Sequence, residues 1–335
     1  MLPLVLEQSI THASVIRISP NGKLLAVSQP QFDIVRIFDR VDSTWIQRGR
    51  ILEGDRDSEF GSTISLWTLP SEVASHRFGR LPLLLAVGYT DRTNKDHTVR
   101  VIAWRSNAND WQHLQDSVVC STAECTILKL DVAFDVETSE VRVVVQSEVN
   151  ATKECCVYGF NSNELEQTSK GCISNCSQFA ITGNARTMAV VPIDVSRYVF
   201  FSLERGNLTN SILQQTGVSS FIEKEAFVAF GLSYAGEKAT AIFELGNVTI
   251  IRSSAVNPNS GFVQAESQIF RHFENITNVI VGSNAKTIAI YSHVPGMTDM
   301  AQLSVFAYRL LPDTRWQFQE AGNVIDVSGI GSSDI

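Results

Sequence analysis

The sequence lacks several patterns that identify common classes of protein. It contains no uninterrupted run of 18 apolar residues, so it predicts no membrane-spanning helix. Basic residues are also few: 27 Lys and Arg stand against 35 Asp and Glu, which gives a formal net charge of −8. Because binding to phosphates requires a clustered basic surface, this balance excludes a nucleic-acid partner.

Recognisable catalytic motifs are absent as well. The chain has no G-x-S-x-G elbow, no Walker loop and no dinucleotide-binding fingerprint. Its histidines stand apart, without the H-x-H or H-x-x-x-H spacing of a metal site, at positions 12, 76, 97, 113, 272 and 293. The sequence therefore predicts no catalytic, cofactor-binding or metal-binding residue, and no cofactor.

Cysteine is missing from most of the chain and concentrated in one part of it. All six cysteines lie between residues 120 and 176, at Cys120, Cys125, Cys155, Cys156, Cys172 and Cys176. An even number confined to one region favours disulfides formed in an oxidising compartment. Free buried thiols and a zinc site are the alternatives, although C-x4-C, CC and C-x3-C spacings match zinc knuckles poorly. Six cysteines permit 15 pairings, of which Cys120–Cys125, closing its own small loop, is the easiest to form.

Five glycosylation sequons point to the same compartment. They begin at Asn150, Asn175, Asn207, Asn247 and Asn275. The opening MLPLVLEQSI lacks a basic region and is too short for a signal peptide. We therefore expect either a cytoplasmic protein or a piece of a longer precursor or assembly. Cysteines and sequons together favour the extracellular space or the cell surface.

A recurring sequence pattern, rather than any single residue, predicts the fold. A hydrophobic content of 44% is typical of a folded protein. A short apolar run returns about every 40 to 60 residues, as expected of strands that are covered on both faces. The runs lie at 24–28, 84–88, 141–146, 188–191, 227–231 and 288–291.

Each repeat is consistent with four strands, and the whole chain with an all-β β-propeller of six four-stranded blades. Seven blades are the alternative, because residues 4–10 resemble a lone outer strand and residues 324–327 the start of another unit. We predict a single domain over residues 1–335. Its blades lie approximately at 11–61, 62–125, 126–177, 178–217, 218–275 and 276–327.

Tryptophan marks the predicted outermost strand in three units, at Trp45, Trp111 and Trp316. We interpret these rings as structural, closing the end of a blade against its neighbour. The alternative is a set of exposed platforms for sugars.

Two segments resemble known propeller families. ISPNGKLLAVS at 18–28, followed by IVRIFDR at 34–40, is similar to the opening of a WD40-like blade. EFGSTISL at 59–66, followed by LLAVG at 84–88, resembles the FG-GAP blades of integrin-like propellers. The Gly-His and Trp-Asp pairs of WD40 blades and the calcium loop of FG-GAP blades are missing. The resemblance therefore implies the propeller and no particular activity.

Because a propeller hosts many activities, function has to be inferred from the site. The missing motifs favour a non-catalytic extracellular module that binds proteins or surface glycans, or builds an assembly. The alternatives are a propeller enzyme, glycan-cleaving or quinone-dependent, with its site at the central channel, and an intracellular WD40-like scaffold. An enzyme would carry acidic or histidine residues on several first strands. Asp131 is the one residue with that character.

Overall fold

The protein consists almost entirely of β-strands. A computed structural model describes residues 15–19, 23–41, 44–68, 83–91, 95–105, 108–120, 125–135, 137–161, 167–193, 197–203, 213–220, 226–232, 238–245, 248–257, 261–271, 274–281, 287–294, 297–310, 316–320 and 325–326. Within these ranges the one helical segment is a short 3-10 turn at Pro30–Phe32. No helix in the described ranges is long and apolar enough to cross a membrane.

The first half of the chain forms three antiparallel sheets, in which each strand pairs with the next along the chain. Sheet 1 contains β1 (Val15–Ile18), β2 (Leu24–Gln29), β3 (Ile34–Val41) and β4 (Thr44–Gln47), and the short β5 (Leu52–Glu53) also pairs with β3. Sheet 2 contains β6 (Thr63–Trp67), β7 (Leu84–Asp91), β8 (Asp96–Arg105) and β9 (Asp110–Cys120). Sheet 3 contains β10 (Cys125–Asp135), β11 (Glu140–Val149), β12 (Thr152–Asn161) and β13 (Gln167–Ser174).

The second half repeats this arrangement in three further sheets. Sheet 4 contains β14 (Cys176–Ile181), β15 (Thr187–Pro192), β16 (Arg197–Leu203) and β17 (Leu213–Ser220). Sheet 5 contains β18 (Ala226–Leu232), β19 (Lys238–Leu245), β20 (Val248–Asn257) and β21 (Gly261–Arg271). Sheet 6 contains β22 (Glu274–Val281), β23 (Thr287–Val294), β24 (Met297–Leu310) and β25 (Trp316–Glu320), and β26 (Ile325–Asp326) pairs with β24.

The all-β prediction is confirmed, and most predicted strands occupy their expected places. Assignments were wrong in two places. The sequence predicts each apolar run as a second strand, but the run at 227–231 lies in β18, the first strand of sheet 5, and residues 239–245, predicted as its third strand, lie in β19, the second. Ile325 pairs with Leu303 of β24, so this segment extends sheet 6 and does not start a new unit. An apolar run marks a strand that is covered on both faces, but it does not indicate the position of that strand in its sheet.

The described chain divides into two compact units, with sheets 1–3 in one and sheets 4–6 in the other. In the first unit, β1 lies beside β6, and β6 lies beside β10. In the second unit, β14 lies beside β18, and β18 lies beside β22. The predicted single domain with its blade limits stays a prediction, as does the choice between six and seven blades.

The apolar runs form the core between neighbouring sheets. All six residues of β2 are buried, as are the first six of β7. Leu85 is completely buried in a cluster that combines side chains of sheets 1 and 2, among them Ile37, Ile64 and Trp111. Burial on both faces explains why these strands are continuously apolar and do not alternate.

Trp111 is structural, as predicted. Its ring is fully buried at the start of β9, and its indole N–H donates a hydrogen bond to the backbone carbonyl of Arg48, with a nitrogen–oxygen distance of 3.2 Å. The Trp104 ring meets it edge to face at 5.4 Å between centroids. Gly49 has a φ of 72°, and a Cβ there would lie 2.8 Å from the Trp104 ring. The ring thus closes sheet 2 against sheet 1 and is not exposed for sugar binding.

Four of the cysteines, Cys125, Cys155, Cys156 and Cys172, lie on strands of sheet 3, near strand ends that meet at one end of that sheet. β10 begins, β11 ends, β12 begins and β13 ends at the same end of the sheet. Cys120 is bonded to Cys125, and Cys156 is bonded to Cys172, which lies directly opposite it on β13. Cys155 and Cys176 are also disulfide-bonded, and none of the six is free. The structure therefore contains disulfides and not free thiols.

Candidate active site

Four polar side chains meet on the first strands of three neighbouring sheets. Arg17 lies on β1, Ser65 on β6, and Lys129 and Asp131 on β10. We call these four residues the first-strand cluster. Because β1, β6 and β10 run side by side, residues that are far apart in the sequence can interact here.

A β-bulge gives Lys129 and Asp131 their orientation. The register of β10 against β11 shifts between Ile127 and Lys129, so Leu128 is an extra residue in the strand. Without the bulge, Ile127 would share a face with residues 129 and 131. With it, Ile127 is buried together with Leu130, and the two charged side chains take the other face, where they stay partly exposed.

Hydrogen bonds position the carboxylate of Asp131. The hydroxyl of Ser65 donates to Asp131 Oδ1 at 2.8 Å. The backbone N–H of Val132 points to the same oxygen at 3.0 Å and to Ser65 Oγ at 3.2 Å. Ser65 itself is buried, so the contact between β6 and β10 is shielded from water.

Desolvation dominates the electrostatics of the cluster. It raises the pKa of Asp131 above its ordinary value, although Lys129, the Ser65 hydroxyl, the Val132 N–H and Arg17 each oppose the shift. Desolvation also lowers the pKa of Lys129, and the Arg17 charge adds to that while Asp131 opposes it. The pKa of Arg17 is lowered by the same cause. Opposite shifts on a neighbouring acid and amine, caused by burial, occur at functional sites and also in structural ion pairs, so the geometry of the cluster has to be considered with them.

This arrangement can carry out acid–base chemistry. A carboxylate can accept a proton from a reacting group and return it, and a raised pKa makes it a stronger base. Two cationic side chains near it can stabilise an oxyanion that forms during a reaction, most effectively where water is partly excluded. The cluster thus combines one base with two electrophilic groups.

The sequence identified Asp131 as an acid on a first strand, but it did not identify its three neighbours. Arg17, Ser65 and Lys129 belong to no common motif. An alignment of the predicted first strands could have shown that each of these strands carries a polar side chain at its centre.

Of the described histidines, His113 lies 3.1 Å from Asp116, and His97 has a pKa lowered by burial. Neither residue belongs to the cluster.

The sequons fall in different surroundings. Asn150 and Asn175 are exposed and have positive φ angles of 50° and 59°, one in the β11–β12 turn and the other between β13 and β14. Asn275 lies within β22. Asn207 and Asn247 lie outside the described residues. Glycosylation of all five stays a prediction.

Comparison with known proteins shows the fold. No family model matches the chain, and no curated protein matches its sequence. Among solved structures, a periplasmic gluconolactonase of Pseudomonas aeruginosa has a TM-score of 0.55 at 13% identity, covering 98% of this chain and 91% of that one. A putative 6-phosphogluconolactonase of Bacteroides fragilis has a TM-score of 0.54 at 10% identity, covering 94% and 85%. The β-propeller domain of Cps50 (Swd1) from Myceliophteria thermophila has a TM-score of 0.52 at 10% identity, covering 96% and 87%.

These likenesses confirm that the chain is a β-propeller. They also correct the main functional prediction. The solved structures that the chain resembles include a periplasmic gluconolactonase and a putative 6-phosphogluconolactonase. This finding contradicts the predicted non-catalytic module and favours the alternative of a propeller enzyme. The prediction relied on missing sequence motifs, and a site assembled from separate blades produces no motif.

Proposed function

We propose that this propeller is a hydrolase of sugar lactones, with the first-strand cluster as its active site. The observation that supports the proposal most directly is Asp131, a carboxyl group with a raised pKa that interacts with a hydroxyl and two cationic side chains on three adjacent strands. The names of structural neighbours suggest the substrate class, a cyclic ester of a sugar acid.

In the proposed reaction, the Asp131 carboxylate removes a proton from a water molecule as that water attacks the lactone carbonyl. Arg17 and Lys129 stabilise the oxyanion of the tetrahedral intermediate. Ring opening then breaks the bond between the carbonyl carbon and the ring oxygen, and the proton held by Asp131 passes to the alkoxide. Ser65 keeps the carboxylate in position through its hydrogen bond.

Ester hydrolysis fits the cluster better than glycan cleavage. Glycosidases commonly use two carboxyl groups on either side of the scissile bond. Among the described residues, no second carboxylate affects the pKa of Asp131. Lactone hydrolysis requires one base and a stabilised oxyanion, and the cluster provides both.

Purified protein tests the proposal. Acid release from glucono-δ-lactone and from its 6-phosphate is followed at constant pH and corrected for spontaneous hydrolysis, with p-nitrophenyl glycosides as comparison substrates. We expect turnover of a lactone and none of the glycosides. Lactone rates equal to the spontaneous rate, or turnover of the glycosides alone, would contradict the proposal.

The neighbours of Asp131 should control the pH dependence of that activity. Since Asp131 acts as a base, activity falls as pH drops through its pKa. Lys129 is the largest influence that lowers this pKa, Ser65 the next, and Arg17 the smallest among these side chains. Removing each one raises the pKa, so the acid limb of the kcat/KM profile moves to higher pH. We expect the largest move in Lys129→Met, a smaller one in Ser65→Ala and the smallest in Arg17→Gln. Unchanged limbs would exclude Asp131 as the titrating base.

We also propose that the protein works in an oxidising compartment outside the cytoplasm. The bonding of all six cysteines and the exposed sequons at Asn150 and Asn175 support this location. Intact mass should rise by six hydrogen atoms on reduction. It should fall on enzymatic removal of N-glycans from protein secreted by a eukaryotic host. Binding to other proteins or to surface glycans is not tested by these observations and stays a prediction.

A further inference from the structure

One face of the β12–β13 hairpin carries a second group of chemically active side chains, separate from the first-strand cluster. Glu154 and Cys156 are two residues apart on β12, and they lie opposite Ser174 and Cys172 on β13. The carboxylate of Glu154 and the two sulfur atoms all lie within 4.8 Å of one another. Among the described residues, no other three cysteine, histidine or acidic side chains have their ligand atoms this close together.

Its surroundings are suited to a bound ion. Cys156 is buried, Glu154 is half-buried and Cys172 is exposed, so the group is open on one side only. The Ser174 hydroxyl donates to Glu154 Oε1 at 3.3 Å. Tyr158, next along the same face, has a buried hydroxyl with no hydrogen-bond partner among the described residues. That hydroxyl lies near enough to Glu154 for the carboxylate to add to the rise of the Tyr158 pKa, which burial mainly causes, to about 12.

We propose that, once the Cys156–Cys172 disulfide is reduced, this face binds one Zn²⁺ ion through both thiolates and the Glu154 carboxylate. Zinc prefers sulfur and oxygen ligands in a tetrahedron, where ligand atoms stand about 3.4 to 3.8 Å apart. The Glu154 carboxylate already lies within 4.8 Å of both sulfur atoms, and the two sulfur atoms move apart to this spacing once the bond between them is broken. Water fills the fourth position, on the exposed side.

The chemistry is balanced by a dithiol reductant of the thioredoxin class. The reductant gives two electrons and two protons to the S–S bond, forms its own disulfide and leaves two thiols on the hairpin. Binding of Zn²⁺ then releases two protons as the thiols become thiolates. Disulfide and metal exclude each other, so the hairpin binds zinc only when it is reduced. This proposal is independent of the hydrolase proposal, and it requires that a reductant of this class reaches the protein in the oxidising compartment proposed above.

Zinc binding is measured by equilibrium dialysis of the full chain, oxidised and after reduction with a phosphine. Cd²⁺ gives an ultraviolet thiolate-to-metal band that reports the number of sulfur ligands. We expect one metal ion per reduced chain, none per oxidised chain, and a band corresponding to two thiolates. Glu154→Gln should weaken binding at least tenfold, because it replaces an anionic ligand by a neutral amide.

The Cys120–Cys125 disulfide provides the matched control, because its reduction also yields two thiols, at a different place in the structure. Cys120→Ser with Cys125→Ser should retain the zinc ion, whereas Cys156→Ser with Cys172→Ser should lose it. Persistence of binding in the second variant, or no binding by reduced wild-type protein, would overturn the proposal. Should reduction unfold the chain, one equivalent of Zn²⁺ must restore its β-sheet circular dichroism, and failure to do so also counts against the site.

Discussion

Asp131→Asn is expected to lower kcat/KM for lactone hydrolysis by about 10²- to 10⁴-fold, which is the usual contribution of a general base. Asparagine has nearly the same shape and can still accept the hydrogen bonds from Ser65 and Val132, but it cannot take a proton from water. The substitution therefore removes the ability to accept a proton and keeps the two hydrogen bonds of the side chain. Initial rates corrected for spontaneous hydrolysis, together with the melting temperature, measure the two effects separately.

Glu148→Gln is the matched control for this variant. Glu148 is a half-buried acid on β11 of the same sheet, outside the cluster, so its amide variant should keep nearly full activity. Were Asp131→Asn to remain within a few-fold of the wild type, another group would have to be the base and the proposed mechanism would fail.

Leu85→Asp is expected to destabilise the fold by about 5 kcal/mol or more, enough to leave a marginally stable domain unfolded. The substitution removes a fully buried side chain from the core between sheets 1 and 2 and places an unpaired carboxyl group there. Urea titration monitored by circular dichroism gives the free energy of unfolding. At low pH the new carboxyl group is protonated and the loss should become smaller.

Ile46→Asp makes a comparable change at an exposed position. The Ile46 side chain is 53% exposed on β4, and a charge there stays in water, so its effect should be within about 1 kcal/mol. If both variants lost the same free energy, burial of β7 between sheets would not be what holds these sheets together.

Strand positions could be predicted where the local pattern was strong. Residues 24–28 and 84–88 are continuously apolar because they are covered on both faces, and both lie in second strands. The same pattern was misleading at 227–231, since a first strand can be equally apolar. Disulfide bonding followed from the confinement of the cysteines to one region. The pairing of Cys156 with Cys172 could not be predicted, because it depends on the register of β12 against β13.

The candidate site was harder to predict for a physical reason. Asp131 stood out as an acid on a first strand, but its pKa is raised by the protein around it, and that desolvation exists only after packing. Arg17, Ser65 and Lys129 reach it only because β1, β6 and β10 lie side by side.

The sequence by itself determined the all-β repeat, the buried second strands and the chemistry of the cysteines, because each of these depends on residues close together in the chain. Tertiary structure decided which sulfur atoms bond and which polar side chains share a site. It also decided how far a carboxyl group loses contact with water. Those properties depend on the distances between sheets, and such distances cannot be inferred from residues that are neighbours in the sequence.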